Sequence, residues 1–129
     1  LKAATGIAQG QLARSAYSIA HYPLVAGVIL FAIGTEEILA HPEAALDTPT
    51  RWVFVGGLMV FLASEAVMAR LFTTHTAWER IAAIAGLGIA GIGLSTVSAA
   101  AVGVVACTIL VVTFGVETVR HRDALRQLR

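Results

Sequence analysis

The feature that most constrains this chain is a run without any ionisable side chain apart from one cysteine. From Ile81 to Val116 there are 36 residues and not one Asp, Glu, Lys, Arg or His. As a single helix the run would be ~54 Å long at the usual rise, whereas the hydrocarbon core of a bilayer is ~30 Å thick and is crossed by about 20 residues. We therefore expect two membrane spans, separated at the only polar cluster in the run, Ser95–Ser98.

The composition agrees with lipid as the solvent. The chain of 129 residues is 57% hydrophobic and 13% charged, whereas a soluble domain carries about 25% charged residues. Two further apolar segments lie at Tyr17–Ala40 and Trp52–Ala69. The sequence thus predicts an all-α, polytopic transmembrane bundle with four spans at about 17–40, 52–69, 81–97 and 99–119.

The distribution of charge predicts the orientation of these spans. With four crossings, the chain start, the second connection and the chain end share one side of the membrane, and together they hold eight of the nine basic residues. The first connection, on the other side, has Glu43 and Asp47 with only Arg51. The positive-inside rule then places both termini in the cytoplasm. We expect a bacterial cytoplasmic (inner) membrane protein, and a basic C-terminal end that contacts lipid headgroups and not nucleic acid.

A glycine-rich stretch in the third span has two readings. Gly86, Gly88 and Gly91 match G-x-G-x-x-G, the pattern of a dinucleotide-binding turn, which requires a preceding strand and an acid about 20 residues later. The preceding residues, WERIAAIA, are typical of a helix, and the next acid is Glu117. We therefore interpret these glycines as helix-packing residues.

The first span carries the most informative polar residues. Steps of three or four residues place Pro23, Gly27, Gly34, Glu37 and His41 on one helix face, with small residues where another helix can approach. We expect this face to be buried, with Glu37 and His41 forming a polar or transport site, or a structural pair, near the outer surface. The sequence leaves open whether Glu36 or Glu37 is the functional acid.

Other polar groups are expected near the inner surface. His21 could meet Glu65 or Glu117, and the structural alternative pairs Glu65 with Arg70 or Arg80, and Glu117 with Arg120 or His121. His75 is expected to be solvated or interfacial, and Cys107 to be a packing residue. No metal-ligand spacing and no catalytic motif is present, so we expect no metal, no cofactor and no enzyme activity.

The segment from Arg14 to Pro42 resembles the bacterial low-temperature-requirement A family. The similar pattern is Arg-x-x-Tyr, His-x-Pro, Val-Ala-Gly, a glycine, an acid and a closing His-Pro, and here it falls on Arg14, Tyr17, His21, Pro23, Val25, Ala26, Gly27, Gly34, Glu37, His41 and Pro42. The resemblance covers about 30 residues and implies a multi-pass membrane protein. Family members are longer, so it also implies that this chain is a C-terminal portion whose partners include upstream helices of the same protein.

Two functional hypotheses follow. In the first, a protein for membrane or cold adaptation carries out transport or proton coupling through Glu37 with His41 and through His21 with Glu65. In the second, a structural or interaction protein uses the same polar residues only to join helices. The bilayer is the expected partner in both, and a homo-oligomer is possible in either.

Overall fold

Four α-helices account for nearly all of the described chain. The structure is a computed structural model that describes residues 2–72 and 78–128, with side chains described for 6–71 and 78–128. The helices are α1 (Lys2–Ala40), α2 (Thr48–Phe72), α3 (Trp78–Gly93) and α4 (Ala99–Gln127). The all-α class is confirmed. α1, α2 and α4 extend beyond the predicted spans, because polar residues at their ends continue the helices past the apolar segments.

The third helix differs from the expectation. α3 has 16 residues and ends at Gly93, so the expectation that the helix of the third span reaches Val97 is wrong. Glycine has low helix propensity, and a cluster of glycines at the end of the segment precedes the turn at 94–97. Along its axis α3 measures ~24 Å, less than the ~30 Å hydrocarbon core. Among the described residues, three helical segments are long and apolar enough to cross a membrane: Gly6–Ala40, Thr48–Leu71 and Ala99–Gln127.

α2 is the central helix of the bundle. It packs against both α1 and α3, while α4 packs against α3 and touches α1. Phe54, Val55 and Leu62 of α2 are almost fully buried. The core also contains residues from the other helices and the first connection: Ile38, Leu46, Ala83, Leu87, Ala99, Val102 and Ala106.

Backbone hydrogen bonds hold the first and third connections together. The N–H groups of Ala99 and Ala100 donate to the carbonyl oxygens of Ala44 (2.7 Å) and Pro42 (2.9 Å). These amides open α4 and have no acceptor within their own helix, and Ser98 does not cap them with its side chain. Residues 41–47 and 94–98 therefore lie at the same end of the bundle, which we call the loop end. We call the opposite end, where α3 begins, the Arg80 end.

The outward surface of the helices is apolar. Ile19, Ile89 and Val111 are each more than 70% exposed, and many other large apolar side chains share this exposure. Soluble monomers rarely expose contiguous apolar surface on this scale. The surface is suited to contact with lipid or with other membrane helices.

Candidate sites at the two ends of the bundle

Glycines of α1 lie directly against the backbone of α2. A Cβ built on Gly27 would lie 2.7 Å from the Gly57 carbonyl oxygen and 2.7 Å from the Phe61 amide nitrogen. A Cβ on Gly34 would lie 2.7 Å from the Phe54 Cα. Because these neighbours include backbone atoms, any larger side chain would force the helices apart. The central part of the predicted α1 face is therefore a dry helix contact and not a water-filled cavity.

The glycines of α3 lie within a helix and not in a phosphate-binding turn. Residues 78–93 are helical, and no glycine in the described ranges has positive φ. A Cβ on Gly91 would lie 3.2 Å from Val55 Cγ1, whereas Gly86 and Gly88 face neighbouring side chains at ordinary contact distances of 3.8 and 3.6 Å. Of the three glycines, Gly91 thus leaves the least room for a side chain.

At the loop end, Glu37 in the last turn of α1 pairs with His41, the first residue after the helix. His41 Nδ1 lies 3.1 Å from Glu37 Oε1, and the two side chains are 65% and 49% exposed, respectively. The pair lies at the end of the face that carries Gly27 and Gly34, but other helices do not cover it. Glu36 is also exposed, and among the described residues it forms no hydrogen bond or ion pair.

At the opposite end, Arg80 joins three helices. Its Nη2 donates to Glu117 Oε1 of α4 at 2.9 Å, and its Nη1 donates to the backbone carbonyl of Glu65 in α2, also at 2.9 Å. Glu65 Oε2 lies 3.7 Å from Arg80 Nη2, and the Arg80 side chain is 12% exposed. A mostly buried guanidinium thus lies between two carboxylates from different helices. We call Glu65, Arg80 and Glu117 the Arg80 cluster.

The partners within this cluster agree only in part with those expected. Pairing of Glu65 with Arg80 was one of the two structural alternatives. The expected pairing of Glu117 with Arg120 or His121 is wrong, because Glu117 forms its ion pair with Arg80. Arg120 instead pairs with Glu79 at the start of α3. Sequence spacing favoured partners within one helix turn, whereas the packing of α3 against α4 supplies a partner 37 residues away.

His21 has a local partner. Its ring stacks on Tyr17, with ring centroids 5.5 Å apart and an interplanar angle of 16°. Within the ranges that the structure describes, no hydrogen bond or ion pair joins His21 to Glu65 or Glu117. His75 lies outside the described residues.

The start of α2 contains a buried arginine that the sequence reading missed. Arg51 is 6% exposed, and its Nη1 donates to the Leu46 carbonyl oxygen at 3.5 Å. Asp47 Oδ2 accepts from the Thr50 backbone N–H at 3.4 Å, at the N-terminus of α2. Hydrogen bonding from Thr50 lowers the pKa of Asp47, and the nearby positive charge of Arg51 adds to the effect. The Asp-Thr-Pro-Thr sequence is the signal for such a helix start.

Comparison with known proteins gives one result. Residues 1–116 match the family model described as bacterial low temperature requirement A protein. The chain belongs to this family. The resemblance of the Arg14–Pro42 segment to the low-temperature-requirement A family is thereby confirmed, and it extends over α1 to α3 and most of α4. Searches of curated proteins and of solved structures found no match.

Membership and the apolar helices together identify a multi-pass membrane protein of the low-temperature-requirement A family. The matched region includes His21, Glu37, Glu65 and Arg80 and ends one residue before Glu117. In the described part of the chain, no three His, Cys, Asp or Glu side chains are grouped as metal ligands. The chemistry that the observed arrangement offers is ion pairing between helices.

Proposed function

We propose that this chain is a four-span unit of the bacterial inner membrane, with both termini in the cytoplasm, which serves membrane or cold adaptation as a structural unit. Its polar residues join helices, and catalysis is no part of this role. The observation that carries the proposal is the Arg80 cluster. Ionisable residues in membrane segments pair with one another and face other helices, and Arg80 does so with α2 and α4.

The contacts at both ends of α3 support four crossings. Its first turn bonds α2 and α4 through Arg80, and the start of α4, directly after the 94–98 connection, bonds residues 42–44 at the loop end. These contacts support a path for residues 78–98 from the Arg80 end to the loop end, despite the short helical length of α3. The turn that follows adds apolar Leu94 and Val97, which extends the crossing.

Charge supports the orientation. Arg70, Arg80, Arg120, Arg122 and Arg126 lie towards the Arg80 end, whereas the loop end carries Glu36, Glu37, Glu43 and Asp47. Cytoplasmic flanks of membrane helices carry an excess of Lys and Arg. The Arg80 end then faces the cytoplasm.

Cysteine labelling tests the crossings and the orientation. In a Cys107→Ser background, Ala45→Cys and Leu128→Cys each introduce a single thiol, at the loop end and at the C-terminal end. We expect a membrane-impermeant maleimide to label position 45 in spheroplasts and position 128 only after permeabilisation. Labelling of both positions from one side would contradict the four-span topology.

Transport remains a second candidate, because Glu37 and His41 form an exposed hydrogen-bonded carboxylate–imidazole pair. Proton flux into liposomes containing the full chain and a pH-sensitive dye separates the two roles. Transport predicts a flux that Glu37→Gln abolishes and that Glu43→Gln, which removes a charge from the same end, preserves. The structural role predicts no flux above that of empty liposomes.

A further inference from the structure

An apolar groove of about 540 Å³ lies between α1 and α2 on the outer surface of the bundle. On α1 it is lined by Ala16, Ala20 and Pro23, and on α2 by Ala63, Val67 and Leu71, among others. Among the described residues of its lining, Ser64 is the only one with a polar side chain, and its hydroxyl donates to the Val60 carbonyl oxygen of its own helix. The described lining therefore presents no unpaired polar side chain, which suits an apolar occupant.

The groove begins where the close helix contact ends. Gly27 and Gly34 bring the α1 backbone against α2 towards the loop end. From Pro23 towards the Arg80 end the facing side chains are mainly small, so the two helices do not fill the space between them. Pro23 has no N–H to donate to the preceding turn, which weakens α1 at the end of the groove that is nearer the loop end.

The length of the groove matches one leaflet. From Val60 to Leu71, its limits on α2, the helix rises ~16 Å. Half of a ~30 Å hydrocarbon core is about 15 Å. A single acyl chain from the leaflet at the Arg80 end would lie alongside the whole groove.

A positive charge stands at the membrane-surface end of the groove. Arg70 is exposed and lies three and seven residues after Val67 and Ala63, so all three share a helix face. Among the described residues, its guanidinium forms no ion pair or hydrogen bond. The nearest acid on α2, Glu65, belongs to the Arg80 cluster. An anionic headgroup would therefore meet an uncompensated arginine.

We propose that the α1–α2 groove binds one anionic phospholipid, with an acyl chain along Ala16–Pro23 and Ala63–Leu71 and the phosphate paired with Arg70. Basic positions between membrane helices are recognised sites for anionic headgroups. The proposal rests on the proposed function in one respect, namely that Arg70 lies at a membrane surface.

Lipid retention by the purified full chain tests this site. The protein is equilibrated with equal amounts of phosphatidylglycerol and phosphatidylcholine that carry the same acyl chains, and native mass spectrometry counts the lipids retained. We expect preferential retention of phosphatidylglycerol, a roughly five-fold loss of that preference in Arg70→Gln, and loss of both lipids in Ala63→Trp, which fills the groove. Arg126→Gln and Val119→Trp make corresponding changes at exposed positions of α4 away from the groove and should retain wild-type binding.

Three outcomes would overturn the lipid site. The first is lipid retention that is unchanged in Arg70→Gln and Ala63→Trp, and the second is a loss of retention in the α4 controls as large as in the groove variants. The third is a wild-type dimer that Ala63→Trp dissociates. The last would assign the groove to a second copy of the chain. Thermal unfolding of each variant identifies any loss that arises from misfolding, and Ala63→Leu then replaces Ala63→Trp. Lipid retention does not depend on orientation, so failure of the labelling experiment and failure of this one are distinguishable.

Discussion

The two ends of the bundle use charged residues in different ways. At the loop end, Glu37 in the last turn of α1 pairs with His41 directly after it, and both side chains are exposed. At the Arg80 end, one mostly buried guanidinium meets carboxylates from α2 and α4. The first pair can form in an isolated helix, whereas the second exists only when three helices are packed. Only the second can therefore contribute much to the tertiary structure.

The glycine contact between these ends should be the most sensitive point of the structure. Gly27→Ala places a methyl group 2.7 Å from backbone atoms of α2, so we expect it to lower the free energy of unfolding by about 2 to 3 kcal/mol. The measurement is unfolding in a fixed mixture of detergent and lipid.

Gly115→Ala is the matched control, because a Cβ there meets nothing within 4 Å. It should be neutral, or stabilising by up to about 1 kcal/mol, through helix propensity. Equal effects of the two substitutions would show that α1 and α2 are not in close contact at Gly27.

Removal of the shared cation should have the next largest effect. Arg80→Gln leaves Glu65 and Glu117 without their counter-ion. Loss of one partner of a fully buried pair costs about 3–5 kcal/mol, and since Glu117 is 38% exposed we expect a smaller loss, of about 2 kcal/mol.

Arg120→Gln removes an equal charge from a more exposed pair and should cost less than about 1 kcal/mol. A smaller loss for Arg80→Gln than for Arg120→Gln would contradict the assignment of Arg80 as the main ionic link between these helices.

The loop-end pair should matter little for stability. Glu37→Gln removes an exposed i, i+4 interaction, so we expect a loss of less than about 0.5 kcal/mol. Thermal unfolding of the wild type and of Glu37→Gln at neutral pH measures the difference. A loss as large as that of Arg80→Gln would mean that Glu37 contacts more than its own helix.

The smallest expected effect concerns Asp47 and pH. Because the pKa of Asp47 is lowered from 3.8 in the folded chain, its contribution to stability is present above the unfolded pKa and is lost as pH falls through the folded pKa. Asp47→Asn should therefore reduce the loss of stability seen on acidification below about pH 4. Thermal midpoints at neutral pH and at about pH 3 measure it, and identical pH profiles for the two proteins would contradict it.

Local regularities were predictable from the sequence and long-range register was not. The break near Ser95–Ser98 and the Glu37–His41 pair follow from helix length and from spacing within one helix. The early end of α3 was missed because apolar content masked the low helix propensity of Gly91 and Gly93. The partner of Glu117 was also missed, because nothing in a single sequence specifies how α3 is aligned with α4.

The same limit applies to the glycines. A small-residue face on α1 was expected to be buried, but the sequence could not identify Gly57 and Phe61 as the residues that meet Gly27. The α1–α2 groove was likewise not expected, because it depends on where the two helices stop touching. Arg51 was read as a loop charge, and its burial depends on how the 41–47 connection folds over the start of α2.

The most direct test of the account is a pair of double-mutant cycles in the same lipid mixture, one for Arg80 with Glu117 and one for Glu37 with His41. The account predicts a coupling energy of about 1–2 kcal/mol for the first pair and at most about 0.5 kcal/mol for the second. Equal coupling energies, or a larger value for Glu37 with His41, would contradict the claim that Arg80 joins the helices of this membrane unit.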